Sequence, residues 1–227
     1  MNFNETLEHF RSNFNKDGNG QRISFLITGG GYSTLNFRLG CGSSRFLEGC
    51  WDPYSQEQLI SFLSQNGENV DAANFHSVEE ESIISYANAL KNIVLQSNPK
   101  GDKLPLLVVV SAALTTNRYR RSDNRAFIMI VRDIDKSTGK IIEMDIWNVK
   151  ISKISEPLHN KCLEQNPKFI DTLRKMEDEK ISQITLSLIM KDSSLLPVLS
   201  GDESLTLCKT ISPNNQYRNM LSDMFTR

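Results

Sequence analysis

The sequence lacks the features that mark membrane and secreted proteins. Its 227 residues contain no apolar run of about 18 or more residues, the length that a membrane-spanning helix needs. The first 22 residues are polar and mixed in charge, without the apolar segment of a secretory signal peptide. We therefore expect a protein of the cytoplasm or the nucleus, with no membrane partner.

Cysteine and histidine are also scarce. The four cysteines and three histidines show no C-x-x-C pair and no zinc-ligand spacing. The 26 basic and 27 acidic residues leave a net charge of −1, which gives no general attraction to nucleic acid or anionic lipid. We expect reduced thiols, no metal or other cofactor, and no nucleic-acid partner.

The hydrophobic patterning predicts one α/β domain. Hydrophobic residues make up 39% and charged residues 23% of the chain, as in soluble globular proteins. After a short N-terminal helix, the order is strand, three helices, three strands and a long helix, predicting a mixed sheet flanked by helices with an edge hairpin. The predicted divisions are an N-terminal helix and loop (1–22), the α/β domain (23–191) and a polar C-terminal extension (192–227).

The first candidate site is a glycine turn between a predicted strand, 23–28, and a predicted helix, 32–39. It reads Thr28-Gly29-Gly30-Gly31-Tyr32-Ser33. Glycines let the backbone approach an anion closely, and a helix start supplies N–H donors. The alternative is a plain turn between strand and helix, because the pattern is neither G-x-G-x-x-G nor a P-loop.

The second candidate is the arginine-rich segment TTNRYRRSDNR, which follows the buried apolar run LPLLVVVSAA. Arg118, Arg120, Arg121 and Arg125 stand against a single aspartate. The planar guanidinium suits phosphate oxygens, and ligands of α/β sheets bind at the carboxyl ends of strands. The segment is therefore either a phosphate site or a solvated loop.

A third candidate combines small polar residues of two loops. Ser43 and Ser44 follow Gly42, and Tyr54 precedes Ser55. A serine is a nucleophile only when a base is within reach, and a tyrosine can share or relay a proton. The alternative is that these residues form turns.

These motifs resemble the C-terminal domain family of the competence/damage-inducible protein CinA. The resemblance is carried by TGGGYSTLNFRLGCGSSRFLEGCWDPYSQEQL, in which T-G-G, G-S-S and Tyr-Ser follow one another as they do in the family. The segments FHSVEEESIISYANAL and LLVVVSAALTTNRYRR are similar to the next parts of the family, and the second is closest to its fungal and plant branch. The resemblance covers about residues 23 to 190.

Membership of this family would imply a three-layer α/β/α sandwich, a homodimer and a nicotinamide mononucleotide amidohydrolase. Such an enzyme hydrolyses the carboxamide to a carboxylate and releases ammonia. Ser44 and Tyr54 occupy the implied catalytic positions. The residues implied to bind the nucleotide are Thr28, Gly29, Gly30, Gly31, Ser33, Ser43, Thr116, Arg118, Arg120 and Arg121. Because larger relatives continue into a nucleotidyltransferase domain, a separate nicotinamide-nucleotide adenylyltransferase is an expected partner.

Two departures from the family pattern divide the functional predictions. Ile27 and Leu59 are apolar at positions where the family has polar residues. At the position of Leu59, the family has a lysine. Leucine cannot take a proton from a serine hydroxyl. The chain is therefore predicted to be either an amidohydrolase that uses Ser44 and Tyr54, or a catalytically impaired relative that binds a phosphorylated ligand or a partner protein. A purely structural interaction module is the third possibility.

Overall fold

A single six-stranded mixed sheet forms the centre of the molecule. The computed structural model describes residues 1–14, 16, 20–39, 43–97, 104–119 and 124–213. The strands are β1 (Ile23–Thr28), β2 (Leu47–Trp51), β3 (Leu106–Ala113), β4 (Asn124–Ile134), β5 (Ile141–Ile151) and β6 (Ser204–Ile211). Their order is β2-β1-β3-β4-β5-β6. β1 is parallel to both β2 and β3, and the pairs from β3 to β6 are antiparallel.

Helices cover both faces of this sheet. The α-helices are α1 (Phe3–Asn13), α2 (Gln56–Gln65), α3 (Glu80–Gln96), α4 (Glu156–Gln165) and α5 (Pro167–Met190), and three 3₁₀ helices span Tyr32–Leu39, Ser43–Arg45 and Ser193–Leu195. Phe25 and Ile27 pack in one core cluster with residues of α1 and α5, whereas Leu26 packs in a second cluster with residues of α2 and α3. Because neighbouring strand residues point to opposite faces, the two clusters lie on either side of the sheet. The expected α/β/α sandwich is confirmed.

The central strands explain where a site can form. Every residue of β1 and β3 is buried, as expected for strands covered on both faces. In their parallel register Thr28 lies opposite Ser111, so both strands end at one edge of the sheet. β4 begins and β5 ends at that same edge. We call it the carboxyl edge.

Several local predictions differ from the structure. The segment after the glycine turn is a 3₁₀ helix, Tyr32–Leu39, rather than an α-helix. The pattern Ser77-x-x-Glu80 fits a capping box, but α3 begins at Glu80 without a side-chain cap, so this prediction from the sequence is wrong. The Ser77 carbonyl instead accepts hydrogen bonds from the hydroxyls of Tyr86 and Ser111, which fix the loop before α3 against β3.

Three of the strands and α-helices are absent from the predicted order: β2, α4 and β6. The sequence predicts no helix between the last of the three consecutive strands and the long helix, yet residues 156–165 form α4, of which His159 is the one buried residue. Residues 204–211, predicted to belong to a polar tail, form β6 on the outer side of β5. The β4–β5 hairpin is therefore flanked by a further strand. None of the helices in the described ranges is long and apolar enough to cross a membrane.

Candidate functional site at the carboxyl edge of the sheet

The glycine turn is shaped by its packing against β3. Gly29 has a φ of 74°, and a Cβ atom at this position would lie 2.0 Å from the Ala112 carbonyl oxygen. Gly31 has a φ of 86°, and its Cβ would lie 2.8 Å from a methyl group of Val110. An L side chain rarely adopts such a φ, so both positions need glycine before any ligand is considered.

The backbone N–H groups of this turn already bind an anion, the carboxylate of Asp178 on α5. Asp178 Oδ1 accepts from the N–H groups of Gly31, at 2.5 Å, and of Tyr32, at 3.0 Å. Its Oδ2 accepts from the N–H of Ser33 at 2.8 Å. We call the N–H groups of Gly31, Tyr32 and Ser33 the donor cradle. A side chain of the same chain thus occupies it with three charge-assisted hydrogen bonds.

Arg174, one helical turn before Asp178, joins the glycine turn to the loop after β3. Its Nη2 donates to the Gly29 carbonyl and its Nη1 to the Thr115 carbonyl, both at 3.0 Å. The sequence predicted the glycine turn and the segment after β3 at the carboxyl ends of strands, where they would meet. The described part of that segment does lie next to the turn. Arg120 and Arg121 lie outside the described residues.

A buried carboxyl group lies beside this junction. Glu177 is 3% exposed and accepts hydrogen bonds from the N–H and Oγ1 of Thr115, at 2.7 and 2.6 Å, and from Asn124 Nδ2 at 2.9 Å. Burial raises the pKa of this carboxyl group, while the hydrogen bonds from Thr115 and Asn124 and the charge of Arg174 act in the opposite direction. Glu177 thereby fixes the start of β4 to the end of β3.

Next to this network is a small pocket of about 10 Å³, which is room for about one water molecule. Its lining residues are Leu114, Thr115, Thr116, Arg118, Tyr119, Asn124, Lys153, Ile154 and His159. The His159 ring lies edge-on to Tyr119 with centroids 5.4 Å apart, and Lys153 Nζ lies 4.2 Å from the centre of the Tyr119 ring. The pocket therefore combines an imidazole with two cationic side chains, those of Arg118 and Lys153.

The serines expected to act in catalysis have different surroundings. Ser43 is 9% exposed and its hydroxyl donates to the Phe37 carbonyl at 2.7 Å, which ties together the two 3₁₀ helices. The Ser44 side chain is exposed, and no hydrogen bond to a residue in the described ranges involves it. No side-chain base is hydrogen-bonded to either hydroxyl within those ranges.

The Tyr-Ser motif starts a helix. Ser55 caps α2, because its hydroxyl accepts from the Gln58 N–H while the Gln58 side chain accepts from the Ser55 N–H. Tyr54 precedes this cap and is 70% exposed. Thr28 is also engaged locally, since its hydroxyl donates to the Pro53 carbonyl at 3.0 Å.

Tyr32, which belongs to the glycine-turn motif, is a second tyrosine at this edge, and the sequence predicted no role for its side chain. Burial raises the pKa of its phenol to about 12, and the charges of Asp52 and of any ionised Tyr54 act in the same direction. The Gly29 backbone and Arg174 lower it. Tyr32 therefore stays protonated at neutral pH and cannot replace a missing general base.

The two apolar departures from the family pattern are part of the core. Ile27 is fully buried in the cluster beneath α5, and Leu59 is 1% exposed in the cluster beneath α2 and α3. The sheet separates them. Leu26, the β1 residue on the same face as Leu59, is also fully buried. Apolar side chains therefore occupy both the Leu26 and the Leu59 positions.

The structure thus brings together part of the predicted site and adds residues that were missed. Thr28, Gly29, Gly31, Thr116 and Arg118 all lie at the carboxyl edge. The added residues are Lys153, His159, Arg174, Glu177 and Asp178. The last three share one face of α5 by their spacing of three and four residues, a pattern that the sequence does contain.

No family model matches this sequence, and no curated protein matches it. Solved structures resemble its fold. A competence-damaged protein (CinA) superfamily protein from Escherichia coli has a TM-score of 0.52 at 7% identity, over 84% of this chain and 92% of that chain. Competence/damage inducible protein CihA from Agrobacterium tumefaciens gives 0.49 at 11% identity, over 83% and 94%. A CinA superfamily protein from Klebsiella pneumoniae gives 0.48 at 10%, over 80% and 99%. The likeness to the E. coli protein shows a shared fold.

Proposed function

We propose that this chain is a CinA-like protein that binds a pyridine mononucleotide at the carboxyl edge and does not hydrolyse its carboxamide. The shared fold and the motif resemblance over residues 28–55 support the CinA-like assignment. The location follows from the sheet, because ligands of α/β proteins bind beyond the carboxyl ends of parallel strands.

The observation that decides the position of the phosphate in this proposal is the occupation of the glycine turn by Asp178. A nucleotide phosphate cannot use the N–H groups of Gly31, Tyr32 and Ser33 while the Asp178 carboxylate holds them. Two like charges would also repel each other there. The phosphate is therefore assigned to the other end of the edge, where Arg118 and Lys153 line a pocket.

Within the described residues no side-chain base is hydrogen-bonded to Ser44, and this argues against amide hydrolysis there. A general base contributes about 10²–10⁴-fold to such a reaction, and the position of the family's lysine is the buried Leu59. Ser43 is committed to the Phe37 carbonyl, and the Tyr54 phenol lies largely in solvent. An exposed serine without a base is a poor nucleophile at neutral pH.

Calorimetry with nicotinamide mononucleotide and nicotinate mononucleotide tests the binding. We expect heat of binding with the wild-type protein and an affinity about tenfold lower in Arg118→Ala, since one charge-assisted hydrogen bond is worth about 1.5–3 kcal/mol. The double variant Arg120→Ala/Arg121→Ala tests the arginines outside the described residues. Lys140→Ala, an exposed cation in the hairpin at the opposite edge, is the matched control. No heat from either nucleotide would refute the proposal.

Ammonia release from nicotinamide mononucleotide separates the two candidate functions. We expect equally flat time courses for the wild type and for Ser44→Ala. Release by the wild type that falls by 10²-fold or more in Ser44→Ala, a loss of about the size expected for a nucleophile, would identify an amidohydrolase instead.

A further inference from the structure

His159 is held in one tautomer by the backbone. The residue is 2% exposed, and its Nε2 lies 2.8 Å from the Thr116 carbonyl oxygen. Because a carbonyl oxygen can only accept, Nε2 carries the proton and donates it. The other ring nitrogen, Nδ1, is buried and has no hydrogen-bond partner among the residues that the structure describes.

A buried, unpaired nitrogen costs free energy, so it calls for a ligand or water molecule. The pocket that His159 lines has room for about one water molecule or one oxygen atom of a larger group. Arg118 and Lys153 line it as well, and no carboxylate is among its described lining residues. The two cationic side chains therefore favour an anionic oxygen over a cationic group.

The charged groups around His159 come from three other elements. The loop after β3 supplies Arg118 and the phenol of Tyr119, and the segment after β5 supplies Lys153. From α5, Arg174 and Glu177 both reach the adjacent Thr115.

We propose that this pocket is a phosphate subsite at which one phosphate oxygen shares a proton with His159 Nδ1. Nδ1 and a phosphate oxygen are both acceptors, so a hydrogen bond between them requires a proton. A phosphomonoester is a dianion well above its second pKa of about 6, and it brings no proton. Binding at pH 8 therefore takes up one proton from solvent. The pocket is then the phosphate subsite of the proposed function. The inference rests on that function only in taking the phosphate to be part of a nucleotide.

The experiment is calorimetry at pH 8 with inorganic phosphate and with nicotinamide mononucleotide, repeated in buffers of different ionisation enthalpy. The dependence of the observed heat on the buffer gives the number of protons taken up. We expect close to one proton for the wild type. His159→Gln can still donate to Thr116 but has no titratable ring, so we expect uptake near zero and affinity about tenfold lower. His9→Gln, a partly exposed histidine on α1, is the matched control and keeps the uptake.

The outcomes separate the inference from the proposed function. Nucleotide binding with no proton uptake, or with the same uptake in His159→Gln, overturns the subsite and leaves the function standing. Uptake with inorganic phosphate but no binding of the nucleotide supports the subsite and refutes the nucleotide. Absence of heat from both probes overturns both. If His159→Gln does not fold, Lys153→Gln decides: weaker phosphate binding supports the subsite, and unchanged affinity overturns it.

Discussion

Two regions of the carboxyl edge, the glycine turn and the His159 pocket, differ in how their polar groups are satisfied. In the turn, Asp178 accepts from three backbone N–H groups and Arg174 donates to the Gly29 carbonyl. In the pocket, His159 Nδ1 is buried without a partner in the described residues, and two cationic side chains line the same space. The three N–H donors of the turn are satisfied without a ligand, although the buried Tyr32 hydroxyl has no hydrogen-bond partner among the described residues; in the pocket the unpaired group is the His159 imidazole.

The difference shows that a strand, a glycine turn and a helix do not by themselves make an external anion site. The donor geometry is the same whether the anion is a ligand or a side chain of the chain itself. Here the anion is 147 residues from Gly31 along the chain. Binding capacity lies instead where desolvated groups remain unpaired.

The largest expected effect tests whether the turn is shaped by packing. In Gly29→Ala the new methyl group would lie 2.0 Å from the Ala112 carbonyl oxygen at a φ of 74°. Overpacking and backbone strain cost about 1–3 kcal/mol each, so we expect the free energy of unfolding to fall by about 3 kcal/mol or more. Denaturant unfolding measures it.

Gly20→Ala is the matched control for that substitution. Gly20 also has a positive φ, 64°, but a Cβ there would meet nothing within 4 Å. We expect a loss of about 1 kcal/mol, from backbone strain alone. Equal losses at the two positions would mean that contact with β3 does not explain the glycine at position 29.

A second prediction concerns the glycine turn after its bound carboxylate, that of Asp178, has been removed. Asp178→Ala removes three hydrogen bonds and leaves their donors unpaired, so we expect a loss of about 2 kcal/mol. An anion that enters the vacated cradle should restore part of this stability by mass action. The measurement is the melting temperature as a function of phosphate concentration, in a His159→Gln background that removes the other proposed site.

Asp171→Ala, an exposed aspartate on the same helix, is the control for loss of charge. We expect its phosphate dependence to match that of the His159→Gln parent. If Asp178→Ala shows no greater stabilisation by phosphate than this control, the cradle is not an anion site when Asp178 is removed.

The sequence predicted the elements whose signals are local and strong. β1 and β3 are continuous apolar runs, and α3 repeats its apolar residues at helical spacing, so their burial follows from the pattern. The position of the glycine turn next to the loop after β3 follows from the parallel pairing of β1 with β3. These features placed the candidate site at the carboxyl edge.

The parts that the sequence did not predict depend on long-range contacts. α4 has one buried residue, His159, and therefore lacks an apolar stripe. β6 is an edge strand whose mostly exposed residues resemble a loop until they pair with β5. Asp178 lies in a charged stretch of α5 that is typical of a solvated helix face. Its role appears only when the fold brings α5 to the glycine turn.

The smallest expected effect concerns Glu177, which borders both regions. Burial raises the pKa of this carboxyl group in the folded state, so between its ordinary pKa and the raised value the folded chain binds more protons than the unfolded chain. Stability contributed by Glu177 is therefore full below the ordinary pKa and falls as pH rises through the raised one.

Glu177→Gln cannot ionise, and we expect its free energy of unfolding to decline less over that window. Urea unfolding across a pH series measures this, with Glu179→Gln as the more exposed control on the same helix. Parallel curves for Glu177→Gln and the wild type would mean that the folded chain does not hold the Glu177 proton, and that the junction of the two regions is ionised throughout.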